Sequence, residues 1–173
     1  MFSSHYLFDI SMKTFKIGND RSLKLNKKND CISIEDKGTK KAAHFTLARW
    51  ASFLLCLDQI DDEPRRLSEG EDVVFCMHYG GAWHVSLTKG FRCVDLRKFF
   101  VPKDQNTWKP TKTGITLRLH EWPTFKQAAE KLRHDNQAVA NFTPCFLDTD
   151  HSTSMNCPVR SAIRIRLRFR QYQ

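Results

Sequence analysis

Apolar and polar positions alternate through three short stretches near the start of the chain, Thr14–Ile17, Ser22–Leu25 and Cys31–Glu35. Alternation of this kind predicts half-buried strands. Phe15 and Ile17 share one face, as do Leu23 and Leu25, and Ile32 and Ile34; Lys16 and Lys24 fall on the other. Gly18-Asn19-Asp20 and the segment Asn26–Asp30 supply the turn residues between them. A fourth strand is expected near His44–Leu47, and the period then changes. Trp50, Phe53, Leu54, Leu57 and Ile60 recur at helical spacing, which predicts a helix over Ala48–Ile60. The charged stretch 61–72 carries Pro64 and Gly70 and reads as a linker.

The second half repeats the order. Val73–Tyr79 and Trp83–Leu87 flank Gly80-Gly81, a hairpin signal. That loop places Val74, Cys76, His78, Trp83, Val85 and Leu87 on a core face. Phe75, Met77, Tyr79, His84 and Ser86 then form a wetter face, with His78 and His84 on opposite sides. Cys93–Phe100 alternates again, Val94 and Leu96 opposite Cys93, Asp95 and Arg97. Lys103–Thr113 is a basic loop around Trp108, Ile115–Leu119 a short strand, and Trp122, Phe125, Ala129 and Leu132 a helical stripe running to about Ala140. Pro123 is tolerated there because it falls in the first turn.

The two halves align. Cys31–Glu35 matches Cys93–Arg97 at an offset of 93 − 31 = 62, and Trp50 matches Trp122 at 122 − 50 = 72. The expected fold is therefore α+β: two copies of a four-stranded antiparallel sheet with a C-terminal helix, at 13–60 and 73–140, flanked by a leader, 1–12, and a tail, 141–173. One such unit is marginal alone. Two on one chain can bury each other's helices as an intramolecular pseudo-dimer, with a higher oligomer open.

Composition narrows the partners. The 173 residues carry a formal charge of +9, which favours nucleic acid first and anionic membrane second. No apolar run approaches the roughly 18 residues of a membrane span, so no membrane is expected. No secretory signal is read at the start. The six cysteines lack C-x-x-C spacing, and Cys145, His151 and Cys157 fit no standard zinc pattern. Neither a metal nor another cofactor is expected, and a reducing compartment, cytosol or nucleus, is.

Three patterns together carry a resemblance: Phe15-Lys16-Ile17-Gly18-Asn19-Asp20-Arg21 in the first copy, and Asp95-Leu96-Arg97-Lys98-Phe99-Phe100 and Lys109-Pro110-Thr111-Lys112-Thr113-Gly114-Ile115 in the second. With Trp50 and Trp122 at the helix starts, the chain resembles the single-stranded-DNA-binding domain of the transcriptional coactivator family called positive cofactor four. The resemblance implies a curved antiparallel sheet backed by a helix, binding of unpaired DNA, a role in RNA polymerase II transcription, contact with the transcription machinery and a nuclear location. It puts Arg97 and Phe100 at the family's DNA contacts, Lys89 in the basic hairpin of the second copy, and Lys27 and Lys28 in that of the first. Glu35 stands in the first copy where the arginine belongs.

Physically, Arg97, Lys109 and Lys112 suit phosphates, and Phe100, Trp108, Phe91 or Tyr79 suit base stacking. Which of Phe99 and Phe100 stacks is open. Trp108 reads equally as a stacking ring or as a clamp on its own sheet. The run Arg160–Arg170 reads equally as a basic arm or a loose end. The leading expectation is a non-enzymatic single-stranded-DNA-binding coactivator. The rivals are a protein-interaction module of the same fold and a single-stranded-RNA binder.

Overall fold

The computed structural model describes residues 12–141 except 27, 29 and 104–106, omitting the side chain of residue 138. The leader and tail expected at 1–12 and 141–173 lie outside it, apart from their innermost residues. Eight strands form two separate antiparallel meanders, β1-β2-β3-β4 and β5-β6-β7-β8. The first sheet comprises β1 (Met12–Lys16), β2 (Arg21–Asn26), β3 (Cys31–Asp36) and β4 (Lys41–Thr46). The second comprises β5 (Val74–Gly80), β6 (Trp83–Thr88), β7 (Phe91–Phe100) and β8 (Lys109–Arg118). Helices α1 (Leu47–Leu55) and α2 (Leu57–Ser68) follow the first sheet. A 3-10 turn (Leu119–Glu121), α3 (Trp122–Asp135) and α4 (Gln137–Ala140) follow the second.

The expected α+β architecture is present, and the alignment between halves holds at the level of strand register. Cys31↔Thr46, Ile32↔Phe45, Ser33↔His44, Ile34↔Ala43 and Glu35↔Ala42 pair in the first unit. Cys93↔Arg118, Val94↔Leu117, Asp95↔Thr116, Leu96↔Ile115 and Arg97↔Gly114 pair in the second. Each pair is related by 93 − 31 = 62 and 118 − 46 = 72, the offsets read from the sequence. Gly114 is where β8 comes closest to β7, since a Cβ there would lie 2.6 Å from the Leu96 carbonyl oxygen.

Both inner faces and both helix stripes meet in one core. Trp50 and Phe53 of α1 lie 6.0 Å from Phe125 of α3, centroid to centroid. Phe45 lies tilted 4.6 Å from Trp83, and Phe53 lies 5.3 Å from Tyr79, centroid to centroid. Polar ties flank these rings. Arg21 of β2 binds Asp36 of its own sheet and reaches across to Glu121. Asp61 of α2 accepts from Trp122 Nε1 at 3.0 Å and pairs with Lys126. Arg49 Nη1 donates to the Tyr79 carbonyl at 3.1 Å. This arrangement fits the expected intramolecular pseudo-dimer.

Three local expectations need correction. The stretch 61–72 is helical as far as Ser68. Leu57, Ile60, Pro64 and Leu67 bury one side of α2, and its charges pair along the helix, Arg65 with Glu69 at 3.0 Å and Arg66 with Glu63 at 3.0 Å. The single helix expected over 48–60 is instead broken at Cys56.

The β5–β6 turn is Gly81-Ala82, with φ of +55° and +66°. It sits one residue later than expected, with a bulge between His78 and Gly80. A shift of one residue exchanges the faces of a strand. Phe75 and Met77 therefore pack on the core and Tyr79 is buried in it, while Val74, Cys76 and His78 face outward with His84 and Ser86. Finally, β8 begins at Lys109, so much of the expected basic loop is strand.

Because the two units share one core, Phe125→Ala should destabilise both together. The expected loss is about 3–5 kcal/mol, read as one cooperative urea transition at a lower midpoint.

Candidate nucleic-acid interface

With inner faces buried against helices, each sheet keeps one open outer face. On the second sheet that face carries Cys76 and His78 from β5, His84 and Ser86 from β6, and Cys93, Asp95, Arg97 and Phe99 from β7. A bulge between Arg97 and Phe99 widens β8 at this point.

Four rings gather at one end of this face. His78 and His84 are cross-strand partners with centroids 4.7 Å apart, not on opposite sides as the earlier loop placement implied. Phe99 lies 4.6 Å from His84. Trp108 folds over from the β7–β8 connection to within 5.2 Å of His84 and 6.1 Å of His78. His84 is thereby covered, 2% exposed, whereas Trp108 is 44% exposed. Trp108 is thus a clamp on its own sheet that keeps much of its ring in solvent. The choice left open at Phe99 and Phe100 is settled in position: Phe99 joins the platform, while Phe100 follows Lys98 on the alternate side and is exposed.

Arg97, opposite His84 in the ladder, is tightly held. Its Nε and Nη2 donate to the Asp95 carboxylate at 2.8 and 3.1 Å, and Nη1 donates to the Thr111 carbonyl at 2.9 Å. A phosphate here meets an arginine already paired. The remaining sequence candidates spread along the sheet. Lys109 faces Phe100 in register, and Lys112 stands exposed in the widened part of β8. Phe91, 73% exposed, begins β7, roughly 26 Å from Phe99 along the strand at about 3.3 Å per residue. Lys89 sits in the β6–β7 turn, 3.2 Å from Asp72. Tyr79 is not at the face, because the bulge turns it into the core.

The first sheet's outer face is different. Lys24 meets Glu35 at 2.5 Å, and Ser33 Oγ donates to the same carboxylate at 3.3 Å. These contacts, led by the Lys24 hydrogen bond, hold Glu35 below the usual carboxylate range against the opposing effect of burial. Thr14, Ser22, Ala42, His44 and Thr46 fill out this face, with none of the Phe or Trp rings of the other. Lys28 is exposed in the β2–β3 turn; Lys27 lies outside the described residues.

Sequence reasoning missed His78 and His84 as ring partners. The signal was there: two histidines six residues apart across a tight turn are cross-strand neighbours once the turn is placed correctly. Among the described residues no cluster of three His, Cys, Asp or Glu side chains is arranged to hold a metal ion. Cys145, His151, Cys157 and the run Arg160–Arg170 lie outside the described residues. Burial pushes the Cys56 and Cys76 thiols up to about 11, so both stay protonated at neutral pH.

Burial, with the neighbouring His78, lowers His84 from 6.5 to about 4, against the opposing Ala82 carbonyl. Between those values the unfolded chain binds a proton that the folded chain does not. Stability should therefore be complete above about pH 6.5 and fall as the pH drops toward about 4. Urea midpoints across this range check it, and His84→Phe should flatten the profile.

No curated protein matches the chain. Residues 84–128, from His84 through β7 and β8 into α3, match the family described as Transcriptional Coactivator p15 (PC4), and this similarity spans Arg97 and three rings of the platform, His84, Phe99 and Trp108.

Proposed function

We propose that this chain is a single-stranded-DNA-binding coactivator of the positive cofactor four type, acting in RNA polymerase II transcription in the nucleus, without enzymatic activity. The platform of His78, His84, Phe99 and Trp108 on the open face of the second sheet carries the reading. Stacking rings need bases that are not paired, and flanking Lys109 and Lys112 offer charge to the intervening phosphates. The family match over residues 84–128, which takes in His84, Phe99 and Trp108 but not His78, supports the assignment. Among the described residues no helix is long and apolar enough to cross a membrane, and the transcription machinery is the expected protein partner. The first unit serves mainly as a scaffold, its outer face neutralised by the Lys24–Glu35 pair. The tandem arrangement is read as a duplication of one sheet-and-helix module.

One observation favours a second reading. The Asp95 carboxylate that occupies Arg97 is what a protein-interaction module drifted from nucleic-acid binding would show.

Fluorescence titration with a dT oligonucleotide separates the two. Base stacking is worth about 1–3 kcal/mol per base, so Trp108→Ala should weaken binding roughly 5- to 150-fold. Trp108→Phe should retain most of it. The logarithm of the affinity should fall with that of salt, with slope about −0.7 per phosphate neutralised. No dT binding at low salt favours the interaction module, and equal affinity for an RNA oligonucleotide removes the preference for DNA.

A further inference from the structure

Strands β4 and β8 meet where the two units join, which leaves β1 and β5 as the outer edges of the sheets. The two edges are not alike. β1 carries Lys13 and Lys16, and lysine on an edge strand deters another strand from adding there. β5 carries no charged residue and no proline, and Val74 at its start is 71% exposed. The Lys89 N–H donates to the Val73 carbonyl at 3.2 Å, so Val73, Phe75 and Met77 turn their backbone groups toward β6. The alternate residues Val74 and Cys76 turn theirs away from it, to the open side. Among the described residues no strand pairs with that side.

The chain carries a segment of matching pattern. Outside the described residues, Arg160–Arg170 sets Ile163, Ile165, Leu167 and Phe169 at one parity and Arg164, Arg166, Arg168 and Arg170 at the other. A period of two is the pattern of a strand with one apolar and one wet face.

We propose that the run Arg160–Arg170 adds along the open side of β5 as a further strand of the second sheet. Backbone hydrogen bonds to Val74 and Cys76 hold it, as in other strand additions to a sheet edge. Alternation then puts its aliphatic and Phe side chains beside Phe75 and Met77, which pack on the core. Its arginines fall beside Val74 and Cys76, on the outer face. Charge selects the edge. Glu69, Glu71 and Asp72 lead into β5 and are exposed. Their partners are Arg65, Arg66 and Lys89, in surface pairs weak enough to be shared with an incoming arginine. β1 meets the same arginines with lysines. Reach is sufficient: α4 and β5 both pack on α1, and the 160 − 141 = 19 residues from Asn141 to Arg160 span up to about 60 Å.

Amide hydrogen exchange on the full chain tests this, with no nucleic acid present. The Val74 and Cys76 amides should exchange at least tenfold faster in Ile165→Pro with Arg166→Pro than in the unaltered chain, while β1 amides keep their rates. Two adjacent prolines are used because only alternate residues of the added strand turn their N–H groups to β5. Asp72→Lys leaves the run intact and should speed the same two amides at least threefold without moving the urea midpoint; should the proline variant not fold, this variant carries the test. Equal rates in the unaltered chain and the variants overturn the proposal. So does protection that grows with protein concentration, which would assign the edge to a second copy of the chain. The inference stands apart from the nucleic-acid reading: failure of dT binding leaves the strand in place, and loss of this protection leaves the ring platform in place.

Discussion

The aromatic contact between α1 and α3 is the constraint on which the rest depends. A four-stranded sheet with one short helix buries too little apolar surface to be secure by itself. Here Trp50 and Phe53 come from one unit and Phe125 from the other, and Phe45 closes against Trp83 alongside them. Each helix therefore completes the core of both sheets. The polar ties around the rings act on position more than on strength. Arg21 joins Asp36 to Glu121, and Asp61 holds both Trp122 Nε1 and Lys126. Partly buried charges of this kind contribute little net stability, because desolvation offsets their attraction. They fix the orientation in which the aromatic surfaces meet.

That shared core decides what the outer faces are free to become. Once the inner face of each sheet is committed, only the outer residues can vary without cost to folding. In the first unit those positions hold small polar side chains and an internal ion pair, Lys24 with Glu35. In the second they hold rings. The same ladder position is Glu35 in one unit and Arg97 in the other, yet each charge is neutralised, by Lys24 and by Asp95 respectively. The contrast between the faces is thus one of stacking surface more than of charge. A platform of His84 beneath Trp108 offers an apolar, polarisable plane that the first unit lacks.

Much of this was legible in the sequence, and the failures have local physical causes. The offsets of 62 and 72 residues predicted equivalent registers, and alternation with period two excludes a slip of one residue, which would turn Ile32, Ile34, Val94 and Leu96 outward. The β5 face failed because three successive residues, Gly80, Gly81 and Ala82, all take positive φ. Sequence alone does not say which two of them form the turn, and one residue of error turned Phe75, Met77 and Tyr79 inside out. Helix α2 was hidden by Pro64 and by a density of charge that resembles a linker. Its apolar positions Leu57, Ile60 and Leu67 nonetheless keep helical spacing, and its charges are satisfied three and four residues apart. The platform was half legible: Trp108 and Phe99 were visible as candidates, but their convergence on His84 depends on a bulge and on a connection that folds back, neither of which leaves a periodic trace.

The basic excess of the chain is also more structured than its total suggests. Arginine and lysine do different work here, as their chemistry favours. The planar forks of Arg21, Arg65, Arg66 and Arg97 are engaged by carboxylates, where fixed geometry is useful. Lys28, Lys103, Lys109 and Lys112 stand exposed on turns and along β8, where a flexible point charge can follow a polyanion whatever its sequence. A net charge computed from composition counts these groups alike. Their environments show that the folded arginines are largely spent within the protein, so the mobile charge available near the platform comes from lysine.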